Sequence, residues 1–489
     1  MLAHMIAIPR KDLRLEDVQA VARGARIRLS PLGHRLVGSA RRQVVQMLET
    51  GKPVYGVNTG FGALVDTAIP VDRLCELQNN LVMSHAVGTG NLLARKEIRA
   101  AMFLRANMLS KGYSGVRCKL VEHLAEMLNR DVVPVVYEYG SVGASGDLAP
   151  LAHIALAVIG RGEAFYKGKR MNGKVALAHA GLKPYLLQPK EGLSLVNGTE
   201  VMAALASLAC LRAKELADLA DLAGAMSAAA LGANSRAFAT NLQRLKPHPG
   251  QQVSARNMRA YLAGARPAPG RIQDAYSIRC IPQVHGTTRD GIAFARAVIE
   301  TEINSVTDNP LIINEASISG GNFHGAAIAL ALDTMAIALT QAAVISERRT
   351  FRLLDHKLSG LPAFLVQDAG TNSGMMIMQI LASSLLTECR LLSAPASVLS
   401  VPTSAGQEDV VSMGMNSALK ARRIVDYLTT ILVVELICAA QALELSGRAT
   451  PVSLRRAFRR IRSVAPFLER DRELHRDIAR LKAVVTDLV

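Results

Sequence analysis

Apolar positions divide the chain into two stretches of different character. From residue 201 onward they recur at helical spacing in long runs with few Gly or Pro inside. The spacing predicts helices near 200–235, 285–306, 324–352, 373–392 and 411–447. A helix of about 30 residues is about 45 Å long, so several of them predict a long bundle. The run "GAAIALALDTMAIALTQAAVISERR" (325–349) is apolar nearly all round until its end. Such a helix must be enclosed by a large bundle or by another subunit. Before residue 201, pieces such as "KPVYGVNTGFGALV", "DVVPVVYEYG" and "EAFYKGKRMNGKVAL" read as short strands or loops between amphipathic helices. The expectation is a mainly α protein, with a smaller mixed α/β part over 1–200 and a long-helix bundle over 201–489.

At 489 residues the chain can bury a large core in two or three packed units. The most apolar candidate span, 201–234, carries Arg212, Lys214, Glu215, Asp218 and Asp221, which marks a buried helix rather than a membrane span. The N-terminal "MLAHMIAIPRKDLRLEDVQA" has no basic n-region and no long apolar core. No secretory signal is read there, and the expected location is the cytoplasm. Six cysteines stand far apart with no CxxC pair, which argues against a zinc knot or a disulfide framework. The net charge of +17 raises nucleic acid as a partner. No recognition motif accompanies the basic cluster "RRAFRRIR" (455–462), and with no Trp and 4% aromatic residues stacking platforms are scarce. A solvated basic helix face is the expectation, and its field can steer an anionic substrate.

Polar residues gather in loops between the helices, as in "YGVNTGFG" (55–62), "EGLSLVNGTE" (191–200), "TDNPL" (307–311) and "SGGNFHG" (319–325). Such clusters at helix ends are where a site is sought. The run "GSVGASGD" (140–147) reads first as a helix N-terminus, with Asp147 capping the helix that follows. It can do more. Gly146 has no Cβ, so in a tight bend its nitrogen can approach the carbonyl carbon of Ala144. Attack with loss of one water closes a five-membered ring. Loss of a second water from the Ser145 side chain leaves an exocyclic methylene. The product is an electrophile made from the chain itself, a role usually given to a cofactor such as pyridoxal phosphate. Ala-Ser-Gly is common by chance, so spacing alone does not decide the matter.

The run "GSVGASGDLAPLAH" resembles the signature of the aromatic amino acid ammonia-lyases, which make 4-methylidene-imidazol-5-one (MIO) autocatalytically from Ala-Ser-Gly. "YGVNTGFG", "LVMSHAVGTG", "EGLSLVNGT", "QDAYSIRCIPQVHG", "TDNPL", "SGGNFHG", "SERR", "NSGMM" and "PTSAGQED" follow in that family's order between residues 55 and 414. The resemblance implies the ammonia-lyase (fumarase/aspartase-like) architecture and MIO formed from Ala144, Ser145 and Gly146. It implies no metal, no diffusible cofactor, and no nucleic-acid or membrane partner. It also implies a homotetramer whose sites are each built from more than one chain.

The implied reaction is loss of ammonia across Cα–Cβ of an aromatic amino acid. The amine adds to the methylene derived from Ser145, and a base removes a proton from Cβ. The resemblance puts Tyr55 in the base role. An ordinary tyrosine has a pKa of about 10, so a phenolate at neutral pH costs about 4 kcal/mol. Positive charge or hydrogen-bond donors must supply that. The glycines at 56, 60 and 62 would let this loop move as a lid. Arg279 matches the residue that grips the substrate carboxylate, a task suited to a bidentate fork. Tyr276 and Asn197 match residues near the ring and the amine. Gln273 and Phe323 match further pocket positions. Standing alone, Tyr55 and Phe323 would be core aromatics and Arg279 a surface charge; motif context makes them candidates.

Ser84 and His85 stand where histidine-acting members have Ser-His, and Met376 and Glu408 follow the same pattern. A carboxylate at 408 can accept an imidazole N–H, which a phenyl ring does not offer, and His85 can bond the other ring nitrogen. The expected reaction is L-histidine to trans-urocanate. The segment "SAPASVLSVPTSAGQEDVVSMG" departs from the histidine pattern at Ala394, Leu399, Gly406 and Val410, where that pattern has His, Asp, Asn and His. Its "DVVSMG" ending resembles tyrosine-acting lyases and aminomutases. Tyrosine or phenylalanine elimination and a 2,3-aminomutase therefore stand as alternatives. The intact Ala144-Ser145-Gly146, Tyr55 and Arg279 argue against a non-catalytic helical binding protein.

Overall fold

The structure, a computed structural model, describes residues 5–269 and 272–488, so the first four residues of the N-terminal segment lie outside it. Long helices run Glu200–Ala230, Ile281–Ile303, Ala326–Leu354, Met376–Leu392 and Gly414–Leu445, where the apolar spacing predicted them. The first stops short of 235 because the chain turns at Gly232, which has φ +63°. There the Ala233 amide reaches back to the Ala228 carbonyl and the Gly232 amide to Ala229, a Schellman-type stop.

Strands are few and short. Met5–Ile8 pairs in parallel with Arg26–Leu29, and Thr89–Leu92 antiparallel with Tyr137–Tyr139. Val132–Pro134, Glu163–Tyr166 and Lys169–Asn172 form a three-stranded antiparallel sheet, and Leu311–Ile313 pairs with Ala316–Ile318. The "DVVPVVYEYG" and "EAFYKGKRMNGKVAL" segments thus hold strands. The segment "KPVYGVNTGFGALV" instead folds as turns with one short 3-10 helix, Gly62–Leu64.

The chain packs as two compact units. The first comprises Met1–Leu208, Arg296–Leu332 and Pro395–Leu419; the second comprises Ala209–Ala295, Asp333–Ala394 and Lys420–Val489. Every strand among the described residues belongs to the first unit. That unit is centred on the helix Arg95–Leu109, buried on all sides from Glu97 onward. Two buried guanidinium groups on that helix find partners. Arg105 donates to Glu200 at 2.8 Å and to the Asn197 carbonyl at 2.5 Å, and Arg99 donates to the Val21 and Leu128 carbonyls. Such pairing is what makes a buried guanidinium tolerable.

The second unit holds its own buried network. Arg349 forms a fork on Glu435 at 2.6 and 2.8 Å, and the hydroxyls of Ser227 and Ser346 donate to the same carboxylate. His285 meets Asp221 through Nδ1 at 2.7 Å and accepts from Arg349 through Nε2 at 3.3 Å. Stretches of the Ala326–Leu354 and Gly414–Leu445 helices are long and apolar enough to cross a membrane, but 72% and 83% of those stretches are buried inside the chain. Leu330, Ile337, Ile377, Ile380 and Leu391 remain exposed.

Candidate active site

The run at 140–147 is a tight bend. Gly143, Ser145 and Gly146 all have positive φ, at 82°, 50° and 83°. Positive φ at a serine is uncommon and marks a backbone held by its surroundings. The Gly146 amide lies 3.3 Å from the Gly143 carbonyl, and the Ser141 hydroxyl donates to the Gly146 carbonyl at 3.1 Å. A Cβ added at Gly146 would stand 2.1 Å from the Gly198 carbonyl oxygen, so only glycine fits. The segment therefore has the small residues and the bend that a backbone condensation needs, and it fits the MIO group.

Asp147 does not cap the helix it precedes. Its backbone begins Leu148–Val158, but its side chain makes no bond to that helix. Instead Oδ2 accepts from the amides of Val201 and Met202, both at 2.8 Å, and so caps the Glu200–Ala230 helix. The cap crosses to the 197–202 segment because that segment lies against the bend. The Asp147 amide donates to the Gly198 carbonyl at 2.7 Å, and the Gly198 amide to the Ser145 carbonyl at 3.2 Å. Burial raises the Asp147 carboxyl to about 8; Glu200 and Glu302 add to the rise, and the two amides oppose it.

Asn197 ends the short helix Glu191–Val196. Arg105 clamps its carbonyl, and its Nδ2 donates to the Asn309 carbonyl at 2.9 Å. Its Oδ1 is buried and has no partner.

Glu408 is brought against the bend. Its Oε1 accepts from the Ser145 hydroxyl at 3.1 Å, and its Oε2 from the Thr403 hydroxyl at 2.8 Å. The loop that carries it turns through positive φ at Ser404, Ala405 and Gly406. Phe323 is half-buried in the neighbouring "SGGNFHG" loop, which His324 ties to the Val410 carbonyl at 3.2 Å. Leu399 and Val410, two of the departures from the histidine pattern, are exposed.

Tyr55 stands edge-on to Phe61, and its phenol oxygen accepts from the Gly62 amide at 3.4 Å. Burial holds the phenol above the ordinary tyrosine range; the Gly62 amide pulls it down and the Glu408 carboxylate pushes it up. The expected stabilisation of a phenolate by positive charge is thus not supplied by the charges found to act on Tyr55 in this chain. Gly56, at φ +72°, also has a packing reason, since a Cβ there would meet Leu193 at 2.4 Å.

His85 ends the helix Leu74–His85, with Ser84 exposed beside it. His85 Nδ1 lies 2.9 Å from the Leu81 carbonyl. A carbonyl only accepts, so Nδ1 carries the hydrogen and Nε2 is an acceptor. Burial lowers the imidazole's pKa, which keeps the ring neutral at pH 7.

The remaining candidates belong to the second unit. Gln273, Tyr276 and Arg279 line one cleft of about 450 Å³. Arg279 stacks over the Tyr276 ring at 4.7 Å and donates to Gln273 Oε1 at 2.7 Å. Tyr276 is 71% exposed, and Arg279 Nε is buried without a partner. Arg349 supports this turn from beneath, donating to the Ser277 carbonyl at 3.5 Å. Met376 lies elsewhere in the same unit, half-buried at the start of Met376–Leu392, and lines a separate cleft of about 330 Å³ with Phe351, His356 and Phe364.

Ala144, Ser145, Gly146, Asn197 and Glu408 are therefore assembled around one bend. Gln273, Tyr276 and Arg279 form a second group, and Met376 joins neither. Sequence reasoning missed Arg105, Lys190, Thr403 and Asp308, which hold the first group in place. The "TDNPL" motif signalled Asp308, but nothing in it named the partner.

The chain matches the family model described as aromatic amino acid lyase over residues 13–463. It is 50% identical over 486 residues to the histidine ammonia-lyase of Stigmatella aurantiaca, an alignment that covers 97% of this chain and 94% of that relative. Its structure is similar to that of the histidine ammonia-lyase from Trypanosoma cruzi, with a TM-score of 0.92 and 38% identity over 99% of this chain and 94% of the other. It is also similar to the tyrosine aminomutase from Streptomyces globisporus, with a TM-score of 0.94 and 36% identity over 99% and 97% of the two chains. These likenesses bear out the mainly α, ammonia-lyase architecture expected from the sequence.

Proposed function

Because the chain belongs to the aromatic amino acid lyase family and is a carbon–nitrogen lyase, we propose that it removes ammonia from L-histidine to give trans-urocanate. MIO, formed from Ala144, Ser145 and Gly146, would supply the electrophile that makes the substrate amine a better leaving group. Everything else falls to side chains. Tyr55 takes the proton from Cβ as the Cα–N bond breaks and the Cα–Cβ double bond forms. Arg279 grips the carboxylate with its fork, Tyr276 and Gln273 stand beside it, and Phe323 and Met376 line the space for the ring. Glu408 and His85 read the ring.

The choice of histidine is supported by acceptors. Glu408 offers a carboxylate, and the tautomer of His85 makes its Nε2 an acceptor as well. A neutral imidazole brings one N–H, which answers one of them, whereas a phenyl ring answers neither; an unanswered buried acceptor costs about 1–3 kcal/mol. The observation that carries this reading is the 3.1 Å contact between the Ser145 hydroxyl and Glu408, which sets the ring-reading carboxylate beside the residue that would furnish the methylene.

A homotetramer completes the proposal, with other copies of the chain meeting the exposed Ile272, Tyr276, Ile377 and Ile380. A second reading is tyrosine or phenylalanine chemistry, as lyase or 2,3-aminomutase. It draws on the likeness to a tyrosine aminomutase and on apolar Leu399 and Val410.

The test incubates pure protein with L-histidine, L-tyrosine and L-phenylalanine. Conjugated acrylates are followed by ultraviolet absorbance, and β-amino acids by chromatography. Urocanate as the dominant product is expected. Coumarate, cinnamate or a β-amino acid in its place would move the assignment to the second reading.

A further inference from the structure

The sense of the Asn197 amide is fixed by its surroundings. Its Nδ2 faces the Asn309 carbonyl at 2.9 Å, and a flipped amide would set two acceptors against each other there. Oδ1 is thereby held on the opposite side as a buried acceptor without a partner. Leaving a buried acceptor unmet is costly, so the position suits a ligand that brings an N–H.

What holds Asn309 is a buried ion pair. Asp308 Oδ1 accepts from the Asn309 amide at 2.7 Å, and Asp308 Oδ2 accepts from Lys190 Nζ at 3.0 Å and from the Ser194 hydroxyl at 2.8 Å. The Asn309 side chain accepts from the Gly320 amide at 2.8 Å, so the residue is tied at its amide, carbonyl and side chain. Lys190 and Asp308 are fully buried at the side chain. Lys190 adopts φ +77°, a conformation costly for a lysine, immediately before the helix Glu191–Val196 that leads to Asn197. Ser194 stands on that helix. The pair therefore joins the segment that ends in Asn197 to the segment that offers Asn309, across 118 residues of sequence.

We propose that Lys190 and Asp308 are positioning residues, whose ion pair fixes the Asn197 amide so that Oδ1 receives an N–H of the substrate's amino group. This rests on the reading that Asn197 faces the amine.

The test compares native protein with the charge-removing double variant Lys190→Met/Asp308→Asn, with Ser194→Ala, and with Asn197→Ala. Two quantities are measured: kcat/KM for L-histidine, and the inhibition constant of 3-(imidazol-4-yl)propionate, which keeps ring and carboxylate but lacks the amine. The double variant should lose about 10–100-fold in kcat/KM, the scale of a misplaced substrate group. The inhibition constant should change less than about twofold on the same scale. Ser194→Ala, which leaves both charges paired, should show the same split at smaller size and decides the matter if the double variant does not fold. Parallel loss of both quantities, or no loss in either variant, overturns the positioning role. Full activity in Asn197→Ala would instead overturn the reading of Asn197 itself.

Discussion

The two groups of candidate residues are built to opposite plans. Around Ser145 most polar atoms are committed to one another, Asn197 Oδ1 and Asp147 Oδ1 being buried exceptions. Glu408 is held by Ser145 and Thr403, Asn197 by Arg105 and Asn309, and Asp147 by two helix amides. Around Arg279 the support is buried but the side chains meet near the surface, Arg279 donating to Gln273 and stacking on Tyr276. Arg349 braces the turn from below, while Tyr276 is 71% exposed and Ile272 is 96% exposed. The difference fits the tasks proposed for the two groups. A backbone that must condense with itself needs a bend that cannot relax, and only dense pairing holds residues at positive φ. A fork that must take up and release a carboxylate needs open donors, and an exposed apolar rim suits closure by another copy of the chain.

Substitutions can break or sharpen this contrast. The largest effect belongs to Ser145→Ala, which removes the source of the methylene; turnover of every amino acid should vanish while circular dichroism stays native. Tyr55→Phe comes next, with a loss of about 10²–10⁴ in kcat, the usual range for general-base catalysis. Because burial holds the native phenol above its ordinary range, its ionised fraction grows as pH rises, so native kcat/KM should climb above neutrality. That slope should be absent in the residual activity of Tyr55→Phe, and a flat native profile would count against Tyr55 as base.

Arg279→Lys trades a fork for a point charge and should raise KM for L-histidine by about 10–100-fold with a smaller change in kcat. Unchanged saturation kinetics would remove Arg279 from the carboxylate site. The smallest effect is a selectivity. Glu408→Gln should cost L-histidine about tenfold in kcat/KM and any tyrosine turnover less, since only the imidazole loses a charged acceptor. Equal losses would undercut the ring-reading role.

Much of this was legible in the sequence where the signal is local. Helical spacing placed the helix that begins at Glu200, and the run of small residues at 140–147 announced a bend. The residues that would read an imidazole were visible in "MSH" and "QED" once the motif order was seen. What stayed hidden depends on distant pairing. Asp147 looked like the cap of its own helix, but its carboxylate serves a helix 54 residues later in the chain. Lys190 went unnoticed and Asp308 stood only within "TDNPL", yet both are fully buried and paired with each other. Periodicity reports which face of an element is apolar, and it does not report which ion pair crosses the core.

The central claim is that Ala144, Ser145 and Gly146 condense into the electrophile on which the proposed chemistry depends. Mass spectrometry of the proteolytic peptide spanning these residues, taken from active native protein, tests it most directly. The account predicts a peptide lighter than its sequence by two waters, and a Ser145→Ala peptide, which has no side-chain hydroxyl to lose, lighter than its own sequence by at most one. A native peptide of unmodified mass in active protein would contradict it.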